Sequence, residues 1–373
     1  MKNFKVMTLG ASGAGKTVFL ASMFKALSTQ ENSSFKLNVE DPQKRKLLNS
    51  TYVQVLTGDA WTPGTKDIAE WTFTCQVQTE DLDNYDACQF TYFDYAGGRL
   101  TEAEKDPDFE KVIQQADAVL GLLDGHKIYA WLNGDDPLRT NIFLNTDLPS
   151  ILNRMQNLTV PVHFVITKWD ILNQKFTLSQ ILEKLFNIPT FEQLVKSRGE
   201  AGSIVRIIPV SAVGLEFATL QPDGSMKKNP GEIPDPFLVE MPISCTLPDR
   251  LQQLHNEKQA QERQLGQEIQ KIEDGNVMVG AVLGSLDFLG VGLDVLMAFE
   301  EGIKAARLTK VVIFGLKWGL KGISEQVGKG SRRKKEATLE LVKDEQSALI
   351  HAIDSFYDFE QELTDSFPES KLV

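Results

Sequence analysis

The sequence predicts an α/β fold: a mostly parallel central sheet covered by helices, followed by a C-terminal α-helical domain. Three observations predict it. Residues 116–125 (ADAVLGLLDG), 160–170 (VPVHFVITKWD) and 202–212 (GSIVRIIPVSA) are almost continuously apolar, as strands are when both faces of a sheet are covered. Helical stretches such as LPSILNRMQNL and LSQILEKLF separate them, the alternation that builds parallel sheets. After about residue 252 the strand signals stop.

Each element has its own reason. FKVMTLG (4–10) is a short apolar run ending in glycine, a buried strand. KTVFLASMFKAL follows with helical spacing at Val18, Leu20, Met23 and Leu27. SSFKLNVED is a second strand. PQKRKLLNSTYVQVLTG is a helix with proline in its first turn and glycine at its end. AEWTFTCQV and ACQFTYFDY alternate and are β-rich, so they pair as strands; Trp71, Phe73, Phe90 and Tyr92 fall at strand spacing and read as core. PDGSMKKNPGEIPDP is a loop or hairpin excursion, and TLPDRLQQL closes the first domain as a helix. The boundaries are 1–252 for the α/β domain and 253–373 for the helical one.

The chain has 373 residues, comfortable for two domains, and 42% are hydrophobic, ample for a core. A formal charge of -12 argues against nucleic acid as a partner, because polyanion binders need a basic surface. Cys75, Cys88 and Cys245 lie far apart without a CxxC pair, the usage of a reducing cytosol. His126, His163, His255 and His351 show no metal-ligand spacing. MKNFKVMTLG lacks the apolar run of a signal peptide, so the expected location is cytoplasmic.

Gly10, Gly15, Lys16 and Thr17 match G-x-x-x-x-G-K-[ST] between a strand and a helix. Glycines, here with Gly13 added, let successive N–H groups of a loop face phosphate oxygens. The cradle runs Gly10, Ser12, Gly13, Ala14, Gly15, Lys16, Thr17, Val18. Lys16 neutralises β- and γ-phosphates and the Thr17 hydroxyl ligates Mg²⁺. The following helix turns its positive end toward the anion.

Two further stretches choose the nucleotide, and two more hold its metal and terminal phosphate. TKWD (167–170) ends a strand, and a carboxylate at Asp170 accepts from N1–H and the 2-amino group of guanine, donors that adenine lacks. Lys168 lays its stem over the base, and Thr167 stands beside it. Ser211 and Ala212 close the last strand, with the Ala212 N–H placed for the guanine carbonyl. YFDYAGG ends in D-x-x-G: Asp94 holds Mg²⁺ through water and the Gly97 N–H senses the γ-phosphate. In TPGTKD, Thr65 is the threonine that closes on Mg²⁺ and the γ-phosphate, with Thr62 as the alternative.

Through GASGAGKT, TPGT, DYAG, TKWD and SA, residues 3–252 resemble the Ras-like and translation-factor-like P-loop GTPases. The long spacer before GDAWTPGT is similar to that of a bacterial double-GTPase subgroup. The resemblance implies GTP and GDP with Mg²⁺, a nucleotide switch and GTP hydrolysis. Three departures stand out. Relatives often carry a water-orienting glutamine directly after D-x-x-G, and here that position is Gly98. Many relatives carry asparagine where Thr167 stands. Ser12 crowds the route for a partner's arginine. A missing group of this kind slows hydrolysis by about 10³ to 10⁵. Arg99 is the candidate substitute for charge neutralisation, Glu102 and Glu104 for positioning water, and a second copy of the chain is a third source.

VMVGAVLGSLDFLGVGLDVLMAF (277–299) is the most apolar segment, with Gly280 and Gly284 in GxxxG spacing but Asp287 and Asp294 inside it. A basic, tryptophan-bearing stretch (304–335) follows. Two readings stand: peripheral contact with an anionic membrane through 277–335, or a soluble helical bundle. In the bundle, EATLELVKDEQSALIHAIDSFYDFEQEL supplies a partner helix through Leu339, Val342, Leu349, Ile350, Ile353 and Phe356. The function expected is a slowly hydrolysing GTP switch acting on a protein effector or a second copy. The alternatives are a GTP sensor without hydrolysis and a dynamin-like membrane GTPase.

Overall fold

Proline, aspartate and glycine set the limits of the elements. The computed structural model describes residues 2–29, 35–58, 69–79, 84–94, 107–254 and 345–373. In chain order the elements are β1 (Lys2–Gly10), α1 (Lys16–Thr29), β2 (Lys36–Asn38), α2 (Pro42–Thr57), β3 (Ala69–Gln78) and β4 (Asn84–Asp94). Then come α3 (Pro107–Gln114), β5 (Ala118–Asp124), α4 (Gly125–Asn133), α5 (Pro137–Ile142), α6 (Leu148–Met155), β6 (Val162–Thr167) and α7 (Trp169–Leu172). The last are α8 (Leu178–Phe186), α9 (Pro189–Glu200), β7 (Val205–Pro209), β8 (Ala218–Leu220), β9 (Met226–Lys228), α10 (Met241–Ser244) and α11 (Glu345–Ser366). Residues 246–254 are also helical.

The α2 start shows how local sequence sets an end. The Asp41 carboxylate accepts from the N–H groups of Gln43 and Lys44, and Pro42 occupies the first turn, where its missing N–H costs nothing.

The large sheet has the order β2-β3-β4-β1-β5-β6-β7. β2–β3 and β3–β4 are antiparallel; β4–β1, β1–β5, β5–β6 and β6–β7 are parallel. The fold is therefore α/β with a mostly parallel sheet. Along the central strands successive side chains alternate between two covered faces, and β5, β6 and β7 are buried throughout. Val6, Leu120, Leu122, Val165 and Ile208 enter one core with α1; Met7, Val119, Leu123, Phe164 and Ile207 enter another with α6, α8 and α9. β8 and β9 form a separate antiparallel hairpin, the excursion expected after residue 213.

The end of the chain, within the segment 253–373 expected to be helical, lies against the α/β core. α11 packs on the sheet. Ala348, Ala352, Ile353, Phe356 and Leu363 belong to the core of α1, β3 and β4. The Phe356 ring lies 4.6 Å from that of Phe35 and edge-on to Phe90 at 5.7 Å. The Leu372 N–H then donates to the Val205 carbonyl at 2.9 Å, beside an antiparallel bridge between Arg206 and Lys371. The physical reason is that the apolar stripe containing Ile353 and Phe356 finds an uncovered sheet face.

A buried charged cluster fastens this closure. Arg206 is fully buried; its Nε donates to Asp249 Oδ2 (2.5 Å), one terminal nitrogen donates to Asp249 Oδ1 (2.6 Å), and the same nitrogen meets Glu360 of α11. His163 Nε2 lies 2.8 Å from Asp249 Oδ2. Burial pushes the Asp249 carboxyl up, but the Arg206 charge and hydrogen bonds, with His163, hold it below the usual carboxylate range. The segments 277–299 and 304–335 lie outside the described residues; among the described residues no helix is long and apolar enough to cross a membrane.

Candidate functional site

β1 lies between β4 and β5, so the chain winds outward on both sides of it, and crevices beyond the carboxyl ends of strands form at such a point. Gly10, Asp94, Asp124, Thr167 and Pro209 end β1, β4, β5, β6 and β7. The loop from Gly10 to Lys16 is the tight link from β1 into α1. Gly13 and Gly15 have φ of 82° and 84°, a region side chains disfavour. At Gly10 the constraint is space: a Cβ there would come 3.1 Å from Leu122 Cβ on β5.

The Lys16 ammonium donates to the Gly10 carbonyl (2.8 Å) and the Ala11 carbonyl (3.3 Å) and is buried. Burial lowers its pKa, and the negative charge of buried Asp94 opposes the shift. A cation held by neutral carbonyls in a glycine loop, against the first turn of a helix, forms an anion-accepting corner. Asp94 stands opposite Thr8 in the β1–β4 register, which brings the end of β4 alongside the loop. Ser12 and Gly13 are exposed, Ala14 is buried, and Thr17 is half-buried.

A second part is built by β6. The Thr167 hydroxyl lies 2.8 Å from the Ala14 carbonyl and 3.2 Å from that of Leu123, and donates to them. Lys168 is left-handed, φ 54° and ψ 41°, and its ammonium donates to the Gly13 carbonyl (2.9 Å) and to Asp124 (2.9 Å). Thr167 and Lys168 thus tie the glycine loop to the turn that carries Asp170.

Asp170 is buried, and its Oδ1 accepts from the Ser211 hydroxyl at 2.7 Å; the Gly214 carbonyl lies 3.0 Å from the same hydroxyl. Burial pushes the Asp170 carboxyl up; the Ser211 hydroxyl, its own backbone N–H and the Lys168 charge pull it back. The Trp169 N–H donates to the Val210 carbonyl at 3.0 Å, joining the β6 and β7 loops through the backbone. Ala212 is half-buried in the second of these loops. A groove of about 630 Å³ opens beside Asp170, lined by His126, Tyr129, Arg139, Lys175 and the β8–β9 tip.

The structure therefore brings together Gly10, Ser12, Gly13, Ala14, Gly15, Lys16, Thr17, Asp94, Thr167, Lys168, Asp170, Ser211 and Ala212 at one edge of the sheet. Val18 turns its side chain into a small cluster with Val55, Val213, Phe217 and Ala218. Thr167 and Ser211 spend their hydroxyls on protein partners, Ala14 and Asp170. Thr65 with its alternative Thr62, and Gly97, Gly98 and Arg99, lie outside the described residues. Asp124 escaped the sequence reading. It caps α4 by accepting from the His126 N–H (3.0 Å) and pairs with Lys168; an aspartate at a strand end just before a helix is the local signal for such a cap.

No protein-family model matches the chain, and no curated protein is significantly similar to it. Among the described residues no group of three or more His, Cys, Asp and Glu is arranged to hold a metal by itself.

Proposed function

We propose that this chain is a GTP-binding, slowly GTP-hydrolysing switch of the Ras-like P-loop class. One observation carries the reading: Thr167 and Lys168 bond directly to the carbonyls of Ala14 and Gly13, so a guanine-type acceptor and a phosphate-type loop form one hydrogen-bonded unit. The positive φ of Gly13 and Gly15 and the carbonyl-held Lys16 fit a triphosphate tail. Buried Asp170, oriented by Ser211, fits the two donors on the guanine edge.

Mg²⁺ would be held by the Thr17 hydroxyl, by Asp94 through water, and by Thr65; bound there, it offsets charge on the β- and γ-phosphates. Lys16 binds the same phosphates. Gly97 senses the terminal one, and Arg99 neutralises charge that builds during transfer to water. Gly98 offers no side chain to orient that water, which makes unaided turnover slow. The exchange of GTP for GDP controls the C-terminal helical part of the chain, residues 253–373. Their partner is a protein effector, with a second copy or an anionic membrane surface as the alternatives.

Calorimetry on the purified chain tests the reading. Heat with GTP and GDP in the presence of Mg²⁺, and none with ATP, is expected. Phosphate release above that of Lys16→Ala separates a switch that hydrolyses from a sensor that does not. Binding of ATP with no binding of GTP would overturn the assignment.

A further inference from the structure

The excursion between β7 and α10 leaves and returns at one place. The Ser211 N–H donates to the Phe237 carbonyl (3.1 Å), the Phe237 N–H donates back to Ser211 (2.8 Å), and the Asp235 N–H donates to Val213 (3.2 Å). Gly214 must be glycine there: its φ is 90°, and a Cβ would come 2.2 Å from the Asp235 carbonyl oxygen. The stitched base of the excursion is therefore the same Ser211–Gly214 loop that orients Asp170.

From this base the hairpin reaches α2. The Lys228 ammonium donates to the Val55 carbonyl at 2.6 Å and to the Gly58 carbonyl, and lies 5.8 Å from the centre of the Phe217 ring. Carbonyls at the end of a helix lack partners within it and attract cations. The last turn of α2 carries no basic residue of its own, so a lysine 173 residues away supplies the charge. Under Lys228, Val213, Phe217 and Ala218 bury against Val55 and Val18. Val18 directly follows the loop lysine and threonine; Val213 directly follows Ala212.

We propose that Lys228 is a positioning residue, a latch that holds the base-side loop against α1 and α2 and thereby sets the rate at which bound nucleotide leaves. The inference rests on the guanine-nucleotide reading above. On that reading the two ends of the nucleotide are held by the first turn of α1 and by the Asp170–Ser211 loop. The Val18–Val213 cluster joins those ends, and Lys228 fastens the cluster to α2. Release requires the two ends to part, so loosening the latch speeds release without altering which base is read.

The test measures dissociation of a fluorescent GDP and a fluorescent GTP analogue from the full chain, chased with excess unlabelled nucleotide. Lys228→Met is expected to speed both about ten-fold, the scale of one lost charge-assisted hydrogen bond, with the preference for GTP over ATP unchanged. Lys228→Arg, which keeps the charge and the donors on a stem of similar length, is expected to restore the rate to within about two-fold. Lys227→Met, an exposed neighbour on β9, leaves it at the wild-type value. If Lys228→Met does not fold, Lys228→Gln, which keeps a donor without the charge, is expected to give about a three-fold effect. Wild-type dissociation rates in Lys228→Met or Lys228→Gln, in a chain that binds GDP, would overturn the latch alone. A wild-type chain that binds no guanine nucleotide would overturn the functional reading and the latch with it.

Discussion

The hydroxyl of Thr167 donates to the carbonyl of Ala14 across 153 positions of sequence, at 2.8 Å. That bond and its neighbour from Lys168 to Gly13 make the end of β6 and the glycine loop one object. Ligand recognition at two separated ends needs such rigidity, because a loose end costs ordering entropy on binding.

Thr167→Val keeps the volume and removes the donor, leaving the Ala14 carbonyl without this partner. The expected loss is about 1–2 kcal/mol of stability, together with roughly ten-fold weaker GDP binding. Thermal melting and calorimetric titration of the same preparation check both. A variant with wild-type affinity would show that the tie is purely structural.

Asp170→Asn replaces an acceptor pair with one donor and one acceptor. A carbonyl at the purine 2-position then becomes the better partner, so preference should move from GTP toward xanthosine triphosphate by about ten-fold or more, one charged hydrogen bond exchanged for another pattern. Competition between the two nucleotides for a fluorescent reporter reads this directly. Unchanged selectivity would remove Asp170 from base recognition.

The glycine loop, the TKWD turn and the paired strands were legible because each is a local pattern: positive-φ glycines before a helix, a strand-end tetrapeptide, alternation of period two. The direct partners of Thr167 and Ser211 were not, since a threonine or serine hydroxyl commits to whatever lies nearest in three dimensions. The place of α11 was illegible for a related reason. Ile353 and Phe356 mark an apolar stripe but carry no address for the surface that receives it. The cluster of His163 and Arg206 was not read either: both are polar residues inside apolar strand runs, and Asp249 and Glu360 share no spacing with them.

That cluster yields a stability prediction. Asp249→Ala leaves the Arg206 guanidinium buried with one of its two carboxylate partners gone. Breaking a buried pair in this way costs about 3–5 kcal/mol. Combining the change with Arg206→Met and Glu360→Gln removes the stranded charges and should recover much of the loss. Urea denaturation of the single and triple variants measures the difference. Equal destabilisation in both would mean that packing, not charge, sets the cost.

Glu240 gives a prediction in pH. It precedes α10, and burial, with the charge of Glu362 on α11, raises its pKa from 4.5 to about 7. Its own backbone N–H partly opposes the shift. The folded chain therefore holds this proton more tightly than the unfolded chain does. Below the unfolded value of 4.5 both states are protonated and the carboxyl's contribution to stability is complete. As pH rises toward 7 the unfolded state releases its proton first, and stability falls until the folded carboxyl also ionises. Glu240→Gln keeps the neutral form at every pH. It should match the wild type near pH 4.5 and exceed it at pH 8 by about 1–3 kcal/mol. Denaturation midpoints across this range decide the matter: parallel curves for the two proteins would show that the Glu240 carboxyl is as well solvated in the folded chain as in the unfolded one.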